Sequence, residues 1–496
     1  MNRYTMDNSR NYDNNRGNYY SGNSRYGGRH NRDNRDNRDN RDNRDNRDNR
    51  DNRGYNHYNN NSRNNYRNSY NNDNDNDIIE HFNNDGFLAG LEEKNGTICS
   101  DEVIKEECST FEEINEKNDG LKIDLLRGII ACGFDTPSKI QGLVIPQIIQ
   151  KKEVLAQAQS GTGKTGAFMI SALELVDETI NAPQIIVINP THELALQTYD
   201  VGRALSQFME NIKFTLIIGD TDRNKNINDI KNGAQILIST PGRMLDLISS
   251  NGDLFKNMKL LILDECDELL SYSFQKNISD IISMLPNENL KLCLFSATIN
   301  SIVLEIVKNL MPKCVKVLIK KENINLEGIR QTYIEVEHKN TKINIFKDML
   351  SCIPIQQFIT YVNSKESSDY IKQTLEKEDI KVLTINGSNT KEERVNIIKD
   401  FKRGEAKCLI STDLLSRGLD VQALSLVINY ELPKKDNIAS YIHRIGRTGR
   451  FGKKGLTINF VTKDEIKTQN LICSAFKCEI SSINRDNLHE IFENFF

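Results

Sequence analysis

A glycine-rich turn between a predicted strand and a predicted helix constrains the fold more than any other feature of the sequence. The strand is VLAQA (154–158), the turn is QSGTGKT (159–165), and the amphipathic stretch ISALELVDETI (170–180) follows. The segment matches the pattern G-x-x-x-x-G-K-[ST], except that Ala158 occupies the first glycine position. Glycines at this place let backbone amides approach phosphate oxygens, and the helix N-terminus adds a favourable dipole. We therefore predict a phosphate-binding loop; a glycine-rich turn without a catalytic role is the alternative.

The decapeptide LILDECDELL (261–270) joins an apolar run directly to a cluster of acidic residues. Carboxylates are rarely buried unless they are paired or bound to a metal. We therefore expect Asp264 and Glu265 at the end of a strand, beside a positive partner. A helix whose first turn is acidic because of the helix dipole is the alternative, and it accounts for Asp267 and Glu268.

A phosphate loop explains why acids are needed at this position. Lys164 would reach the β and γ phosphates of a nucleotide, and the Thr165 hydroxyl would ligate Mg²⁺. Asp264 would hold the water shell of the same ion, and Glu265 would orient and deprotonate an attacking water molecule. Cys266 is interpreted as a small apolar filler, because no neighbour in the sequence would activate it as a nucleophile.

The chain length of 496 residues predicts more than one domain, because single cores stop growing at about 250–300 residues. From Thr110 onward, short β-branched runs alternate with amphipathic stretches, which predicts two consecutive α/β domains with parallel sheets. The predicted strands are VLAQA, QIIVINP, ILIST, LLILDE and LCLFSAT in the first half, and FITYVN, KVLTING, KCLIST, LVINY and LTINFV in the second. The predicted boundaries are 110–319 for the first domain, 320–327 for the linker and 328–496 for the second domain.

The region before these domains has a different composition. Residues 1–77 are rich in Asn, Arg, Asp, Gly and Tyr, include the repeat NRDNRDNRD and contain almost no aliphatic residues. Such a segment cannot bury enough apolar surface to offset its ordering entropy, so we predict a disordered tail. Its arginines and tyrosines could stack on unpaired bases, and a repeat without a selected role is the alternative. Residues 78–109 are interpreted as a poorly defined connecting segment with loosely helical apolar groups.

Charge, cysteine content and hydropathy limit the class of protein. The net charge of −4 gives no overall attraction for polyanions, so any nucleic-acid site must be local. The 10 cysteines form no C-x-x-C pair, which favours a reducing compartment; Cys473 and Cys478 are the nearest approach to a metal-ligand pair, and we expect no metal there. We also expect no membrane span and no secretory signal, because apolar runs of the required length are lacking.

Eight short motifs occur in a fixed order along both predicted domains. They are GFDTPSKIQ (133–141), AQSGTGKT (158–165), PTHELA (190–195), TPGR (240–243), DECD (264–267), SAT (296–298), STDLLSRGLD (411–420) and HRIGRTGR (443–450). The series resembles that of the DEAD-box RNA helicases, in their DECD variant. The segments KKENINLEGIRQTYIEVE and LVINYELP are most similar to the eukaryotic translation-initiation subfamily. This resemblance implies two RecA-like domains, ATP and Mg²⁺ as cofactors, and RNA as the partner.

The resemblance also implies roles for individual residues. Phe111 would stack on the adenine ring and Gln141 would read its edge. The other implied ATP contacts are Ala158, Gln159, Ser160, Gly161, Thr162, Gly163, Lys164, Thr165 and Asp420. Arg447 and Arg450 resemble the family's arginine fingers, which neutralise charge on the γ phosphate when the domains close. Asp267, Ser296, Thr298 and His443 would link the nucleotide site to the RNA.

The RNA contacts implied by the resemblance involve both domains. The matching positions are Thr191, Thr240, Gly242, Arg243, Arg394 and Thr412. Amides, hydroxyls and a few arginines bind the sugar-phosphate backbone without sequence choice, and contacts to the 2′-hydroxyl favour RNA over DNA. In the family, both domains grip one strand and bend it, so that a short duplex loses pairing locally.

Three residues depart from the family pattern near the RNA. His192 stands where the family usually has arginine, and Asp220 occupies the second place of a usual glycine pair. Lys391 stands where glutamine is common and would restore some attraction. One phosphate contact is worth about 1 kcal/mol, so we expect weaker or more salt-sensitive RNA binding rather than its loss.

Several functions are compatible with the motifs. The leading hypothesis is a monomeric, cytoplasmic ATP-dependent RNA helicase that remodels short duplexes or RNA–protein complexes, including those of translation initiation; a nuclear location stays open. The alternative is an ATP-gated RNA clamp or adaptor with little unwinding. A phosphate-loop kinase or transport ATPase is disfavoured because such a protein would have no role for the HRIGRTGR motif. A DNA-directed motor is disfavoured because the motif series is that of an RNA-helicase family.

Overall fold

The computed structural model describes residues 92–94, 97–99, 107–117, 120–159, 161–286, 288–319, 329–353, 357–413, 424–448, 454–485, 488 and 492. The predicted disordered tail and the predicted linker at 320–327 lie outside the described residues and stay predictions. Among the helices that the structure describes, none has both the length and the hydropathy to cross a lipid bilayer.

The first sheet is a set of seven parallel strands, extended at one edge by an antiparallel hairpin. Its strands are β1 (Glu92–Lys94), β2 (Thr97–Cys99), β3 (Val154–Gln157), β4 (Ile185–Ile188), β5 (Phe214–Ile217), β6 (Ile236–Ser239), β7 (Leu260–Asp264), β8 (Lys291–Ser296) and β9 (Val315–Ile319), in the order β1-β2-β9-β3-β8-β7-β4-β6-β5. We call this sheet and its helices the first domain.

Among the described residues, ten α-helices accompany the first sheet. They are α1 (Phe111–Lys117), α2 (Ile123–Ala131), α3 (Lys139–Ile149), α4 (Lys164–Leu175), α5 (His192–Leu205), α6 (Arg223–Lys231), α7 (Pro241–Ser250), α8 (Cys266–Leu269), α9 (Gln275–Met284) and α10 (Ser301–Leu310). Val154 and Ala156 of β3 pack into one buried cluster and Leu155 into another, so both faces of the sheet are covered.

The second sheet has seven strands in the order β12-β13-β11-β14-β15-β10-β16, and its pairs are parallel. The strands are β10 (Ile329–Val336), β11 (Phe358–Tyr361), β12 (Val382–Ile385), β13 (Cys408–Ser411), β14 (Leu426–Asn429), β15 (Gly455–Thr462) and β16 (Ser481–Ser482). Its helices are α11 (Lys342–Cys352), α12 (Lys365–Glu376), α13 (Lys391–Lys402), α14 (Ser440–Ile445) and α15 (Ile466–Phe476). We call this sheet and its helices the second domain.

The structure confirms two parallel-sheet α/β domains, and each of the ten predicted strand segments contains a strand. It adds β5, β10 and the short strand β16. In β5 and β10, fully buried residues alternate in part with less buried ones, so neither strand is a continuous buried run. The loosely helical groups expected in residues 78–109 lie largely outside the described residues; at Glu92 and Glu93, where GFLAGLEE (86–93) ends, the structure instead has the strand Glu92–Lys94, paired with Thr97–Cys99. Hydrogen bonding to the edge strand β9 holds the second of these segments in place.

Candidate active site

The predicted phosphate loop connects β3 to the start of α4. Gly161 and Gly163 have positive φ angles of 82° and 99°, a conformation that L side chains rarely adopt. A Cβ at Gly163 would lie 2.8 Å from Gln141 Nε2, so glycine is also needed for space. The Lys164 ammonium is buried and donates hydrogen bonds to the carbonyls of Ala158 at 2.7 Å and Gln159 at 3.3 Å. The loop therefore holds the lysine head close to its own backbone.

Three further predicted ATP contacts are Gln141, Thr165 and Phe111. Gln141 is 1 % exposed; its Oε1 accepts from Ser138 N at 2.8 Å and its Nε2 donates to the Gly163 carbonyl at 3.2 Å. Thr165 is half-buried at the second position of α4. Phe111 is 3 % exposed and packs in the first domain's core rather than standing free on a surface. Ser160 and Asp420 lie outside the described residues.

The two acids that the sequence singles out lie at the carboxyl end of β7. Asp264 is 2 % exposed, and its carboxylate accepts hydrogen bonds from Asn189 Nδ2 at 3.3 Å and from Glu265 N at 3.0 Å. Burial, followed by the charge of Glu265, raises the pKa of Asp264 to about 7, and Lys164 opposes this shift. Glu265 adopts a left-handed backbone with φ 50°, which turns the chain sharply into α8.

These acids suit a divalent cation. Two adjacent buried carboxylates repel each other, and the Oε2 atom of Glu265 is buried without a hydrogen-bond partner among the described residues. A cation and its water shell would relieve both conditions, and oxygen ligands are those that Mg²⁺ prefers. The residues present therefore fit the ion that the sequence predicts, with Asp264 and Thr165 as the expected ligands.

Asp267 is the centre of a hydrogen-bond network that joins the two domains. It accepts from Ser296 Oγ at 2.7 Å and from Thr298 Oγ1 at 2.6 Å, both in the first domain. His443 Nε2, on α14 of the second domain, lies 3.1 Å from Asp267 Oδ2. The other ring nitrogen lies 3.7 Å from Glu265 Oε2. All four predicted coupling residues are therefore brought together, next to the predicted catalytic glutamate.

Donor atoms of Glu265, Asp267 and His443 all lie within 4.8 Å of one another, a spacing that a metal ion could bridge. The Asp267 oxygens, however, already accept hydrogen bonds from the Ser296 and Thr298 hydroxyls. We interpret this cluster as the contact between the domains.

Two arginines of the HRIGRTGR motif are buried, and they have different surroundings. Arg447 is 3 % exposed; its amide donates to the Arg444 carbonyl at 3.2 Å, and its own carbonyl accepts from Leu424 N at 3.2 Å. The Arg444 guanidinium donates to Asn363 Oδ1 at 2.8 Å, to the Glu431 carbonyl at 2.7 Å and to Asp413. Arg444 therefore ties the motif to the second sheet. Arg450 lies outside the described residues.

Most predicted RNA positions lie at strand ends of the two sheets. Thr191 and Thr240 follow the neighbouring strands β4 and β6, and each is the N-cap residue of the next helix. Gly242 is exposed, and a Cβ there would meet nothing within 4 Å. Thr412 follows β13 and is half-buried. Arg243 donates to the Thr221 carbonyl and lies 3.8 Å from Asp246, so its guanidinium is held by the protein.

Arg394 lies in a different setting from the one that the resemblance implies. Its Nη1 donates to Glu193 Oε1 at 3.0 Å, and the two side chains are 14 % and 16 % exposed. Glu193 belongs to α5 of the first domain, whereas Arg394 belongs to α13 of the second. The pair is thus a second contact between the domains. The RNA contact predicted for Arg394 stays a prediction.

Two of the three departures from the family pattern lie side by side. His192 Nδ1 is 4.0 Å from Asp220 Oδ2, and His192 Nε2 accepts a hydrogen bond from Gly219 N at 3.4 Å. The Asp220 side chain is 54 % exposed. Because Nε2 accepts this hydrogen bond, the ring proton of the neutral imidazole lies on Nδ1, the nitrogen that faces the Asp220 carboxylate beside the predicted RNA surface. The side chain of Lys391 lies outside the described residues.

Sequence reasoning missed three residues of the site. Asn189 bonds Asp264 and also Thr198 Oγ1 at 3.1 Å, Glu193 pairs with Arg394, and Arg444 anchors the arginine motif. Asn189 and Glu193 flank or belong to the PTHELA motif, so their position next to functional residues was the available signal. Arg444 carries no signal in the sequence that separates it from Arg447.

Comparison with known proteins agrees with this geometry. The family described as DEAD/DEAH box helicase matches residues 138–306, and the helicase conserved C-terminal domain matches residues 341–452. The ATP-dependent RNA helicase eIF4A of Kluyveromyces lactis is 42 % identical over 387 residues, which cover 78 % of this chain and 96 % of that protein. Dbp5 of S. cerevisiae bound to RNA and ADP BeF3 matches with a TM-score of 0.72 at 33 % identity, covering 78 % of this chain and 99 % of that one.

The structures of Dbp5 also differ in how well they match the structure of this chain. A complex of Dbp5 with Gle1 and IP6 covers the same shares of the two chains at 32 % identity, and its TM-score is 0.63. The higher score of 0.72 belongs to the complex with RNA and ADP BeF3. This chain as a whole therefore matches the structure with RNA and ADP BeF3 better than the complex with Gle1 and IP6.

Proposed function

Because this chain belongs to the family of DEAD-box ATP-dependent RNA helicases, we propose that its two domains close on ATP and RNA and that only the closed form is complete for hydrolysis. The chain is an RNA-dependent ATPase that unwinds RNA duplexes or remodels RNA–protein complexes. The observation that supports closure is the network around Asp267, which bonds Ser296 and Thr298 in one domain and His443 in the other.

Within the first domain, the residues around the phosphate loop would divide the work of hydrolysis. Lys164 would exchange its carbonyl partners for the β and γ phosphates of ATP. Asp264 and Thr165 would hold Mg²⁺, which supplies positive charge to the phosphate oxygens. Glu265 would orient the attacking water and accept its proton, and its buried Oε2 is the atom available for this step.

Residues of the second domain would complete the site. The Arg447 guanidinium would neutralise the charge that develops on the γ phosphate, and Arg450 is proposed for the same role. Arg444 positions this segment through Asn363 and Asp413. Because these arginines lie on a different domain from the phosphate loop, opening of the domains would remove them from the nucleotide.

RNA would bind across the strand ends of both sheets. Thr191, Thr240 and Gly242 in the first domain and Thr412 in the second would contact the sugar-phosphate backbone. Contacts to both domains would tie RNA binding to closure, because one strand would then hold the two domains together. Binding energy used to bend that strand would separate a short duplex without sequence choice.

We place the activity in translation initiation, as the names of the eIF4A relatives suggest, and hence in the cytoplasm. The test is an extract depleted of its own eIF4A and programmed with an mRNA whose leader is structured. Addition of the full chain should restore ATP-dependent translation, whereas the variant Glu265→Gln should not. Failure of the wild-type chain to restore translation, while it still unwinds RNA, would place the helicase in another pathway.

The experiment that tests the helicase activity is multiple-turnover unwinding of a short RNA duplex with the full chain. We expect release of more than one duplex per protein and loss of this release in Glu265→Gln. The expected decrease in kcat is about 10²- to 10⁴-fold, the usual contribution of a general base. Stable RNA binding with ATP but no duplex release would support a clamp instead.

A further inference from the structure

Two cysteines that the helicase activity does not use lie at the end of α15 in the second domain. The helix ends at Phe476, and Lys477 follows in the left-handed conformation, with φ 49° and ψ 41°. The amides of Lys477 and Cys478 both donate to the Cys473 carbonyl, the latter at 3.1 Å. This is a Schellman closure, in which the second residue beyond the helix is folded back onto the helix's last turn. It places Cys478 directly against Cys473.

The closure brings the two cysteine side chains together, because the hydrogen bond from the Cys478 amide to the Cys473 carbonyl folds Cys478 back onto the last turn of the helix. The Cys478 thiol and the Ile480 amide lower the pKa of the Cys473 thiol, while burial opposes this shift. Cys473 is half-buried and Cys478 is 7 % exposed. One thiol is therefore more acidic and accessible to solvent, and the other is buried beside it.

This combination is that of an attacking and a resolving thiol. A thiolate that solvent can reach attacks a disulfide, and a second thiol within reach then displaces the first adduct. The remaining described cysteines are not paired in this way: Cys132, for example, is half-buried, and burial raises its pKa. The backbone of the closure fixes the spacing of the pair, so bridging requires no movement of a distant element.

We propose that Cys473 and Cys478 form a reversible intramolecular disulfide when the protein meets oxidised glutathione or a similar low-molecular-weight disulfide. The Cys473 thiolate attacks one sulfur of the oxidant, and the S–S bond breaks to release one glutathione thiol. The Cys478 thiolate then attacks the Cys473 sulfur and releases the second glutathione thiol. The protein loses two electrons and two protons, and the oxidant is reduced to two thiols.

The position of the pair gives the bridge a structural consequence. Ile472 and Cys478 pack in the same cluster as Tyr441 and Ile445 of α14, the helix that carries His443. Burial and the neighbouring Cys478 and Cys473 sulfurs raise the pKa of the Tyr441 hydroxyl. A bridge would therefore fix the end of α15 beneath the helix that contacts the first domain.

The sequence makes the test direct, because Lys477 lies between the two cysteines. Full-length protein is incubated with excess oxidised glutathione, its free thiols are blocked, and trypsin digestion follows without reduction. We expect TQNLICSAFK (468–477) linked to CEISSINR (478–485) as the main disulfide species. Dithiothreitol should abolish the linked species, and Cys473→Ser and Cys478→Ser should each prevent it.

Cys132→Ser is the matched control and should leave the linked species unchanged. Glutathione retained on Cys473 without the link would overturn the proposal, as would links that join other cysteines instead. Because the readout is a peptide mass, its outcome is independent of whether the protein unwinds RNA.

Discussion

His443 Nε2 lies 3.1 Å from Asp267 Oδ2, and this contact joins the second domain to the acidic motif of the first. A carboxylate only accepts hydrogen bonds, so the ring nitrogen that faces it carries a proton. The same carboxylate accepts from Thr298, and Glu265 is the close neighbour of His443 on its other side. His443 thus lies next to both Asp267, which links the two domains, and Glu265, which is proposed to activate water.

The ion pair between Glu193 and Arg394 predicts a second closure contact. Glu193→Gln or Arg394→Gln should each weaken RNA binding in the presence of a non-hydrolysable ATP analogue. A largely exposed pair is worth up to about 1 kcal/mol, or about fivefold in Kd, and this partly buried pair should reach that value. The double variant should bind no more weakly than either single variant, because the interaction is already lost.

RNA affinity measured by fluorescence anisotropy decides this prediction. Arg403→Gln, at the exposed end of the same helix region, is the control and should bind normally; Arg403 is 71 % exposed. A Glu193→Gln variant that binds as well as wild type, beside a defective Arg394→Gln, would show that Arg394 contacts RNA directly.

We predict that substitution of Asp220 increases the affinity of the protein for RNA. Asp220→Asn removes a negative charge near the proposed RNA surface, and RNA binding should tighten about fivefold at low salt. The difference should shrink as ionic strength rises, because the charge is exposed and screened. Asp253→Asn, at a side chain that is 90 % exposed, serves as the control in the same titration. Weaker binding of Asp220→Asn would instead mean that Asp220 positions His192.

We predict that substitution of Arg444 destabilises the second domain. Its guanidinium is buried and donates to Asn363, Asp413 and the Glu431 carbonyl. Arg444→Gln should lower the free energy of unfolding of the second domain by about 3 kcal/mol, because the acceptors lose their partner. Pulse proteolysis in urea measures this change, with Arg403→Gln as a surface control. Unchanged stability with abolished hydrolysis would assign Arg444 a direct part in catalysis.

The acids at the end of β7 predict a strict need for a divalent cation. Chelation should abolish ATP hydrolysis, and Mg²⁺ should restore it. Asp264→Asn should lower kcat at saturating Mg²⁺ about 100-fold or more, because the ion would lose a charged ligand. Steady-state hydrolysis across a Mg²⁺ titration checks both points. Full activity in the presence of a chelator would show that hydrolysis does not need a metal ion at this site.

The parts of the site that the sequence predicts are those that local patterns encode. The phosphate loop and the acids after β7 each combine a strand, a turn and reactive residues within a few positions. The contacts between domains join residues far apart: Glu193 and Arg394 are separated by 201 positions, and Asp267 and His443 by 176. Such pairings depend on tertiary packing, so the pair of Glu193 and Arg394 was not predicted, and the link between Asp267 and His443 was expected only from the resemblance to the helicase family.

The same reasoning explains the strands that were missed. Buried central strands such as β4 are continuous apolar runs and are recognised easily. Strand β5 lies at the sheet edge, and only alternate residues are buried. Arg444 was missed for a different reason, since burial and partners, not residue type, separate it from the neighbouring arginine of its motif.

The most direct test of closure is RNA stimulation of ATP hydrolysis in wild type, His443→Ala and His443→Gln. Wild-type hydrolysis should rise strongly when single-stranded RNA is added, and His443→Ala should lose about tenfold or more of that stimulation, since a hydrogen bond to a charged group is worth about 1.5–3 kcal/mol. Glutamine retains a donor for Asp267, so His443→Gln should recover part of the loss. Stimulation of His443→Ala equal to that of wild type, or a wild-type rate indifferent to RNA, would contradict the coupling of RNA to hydrolysis through this contact.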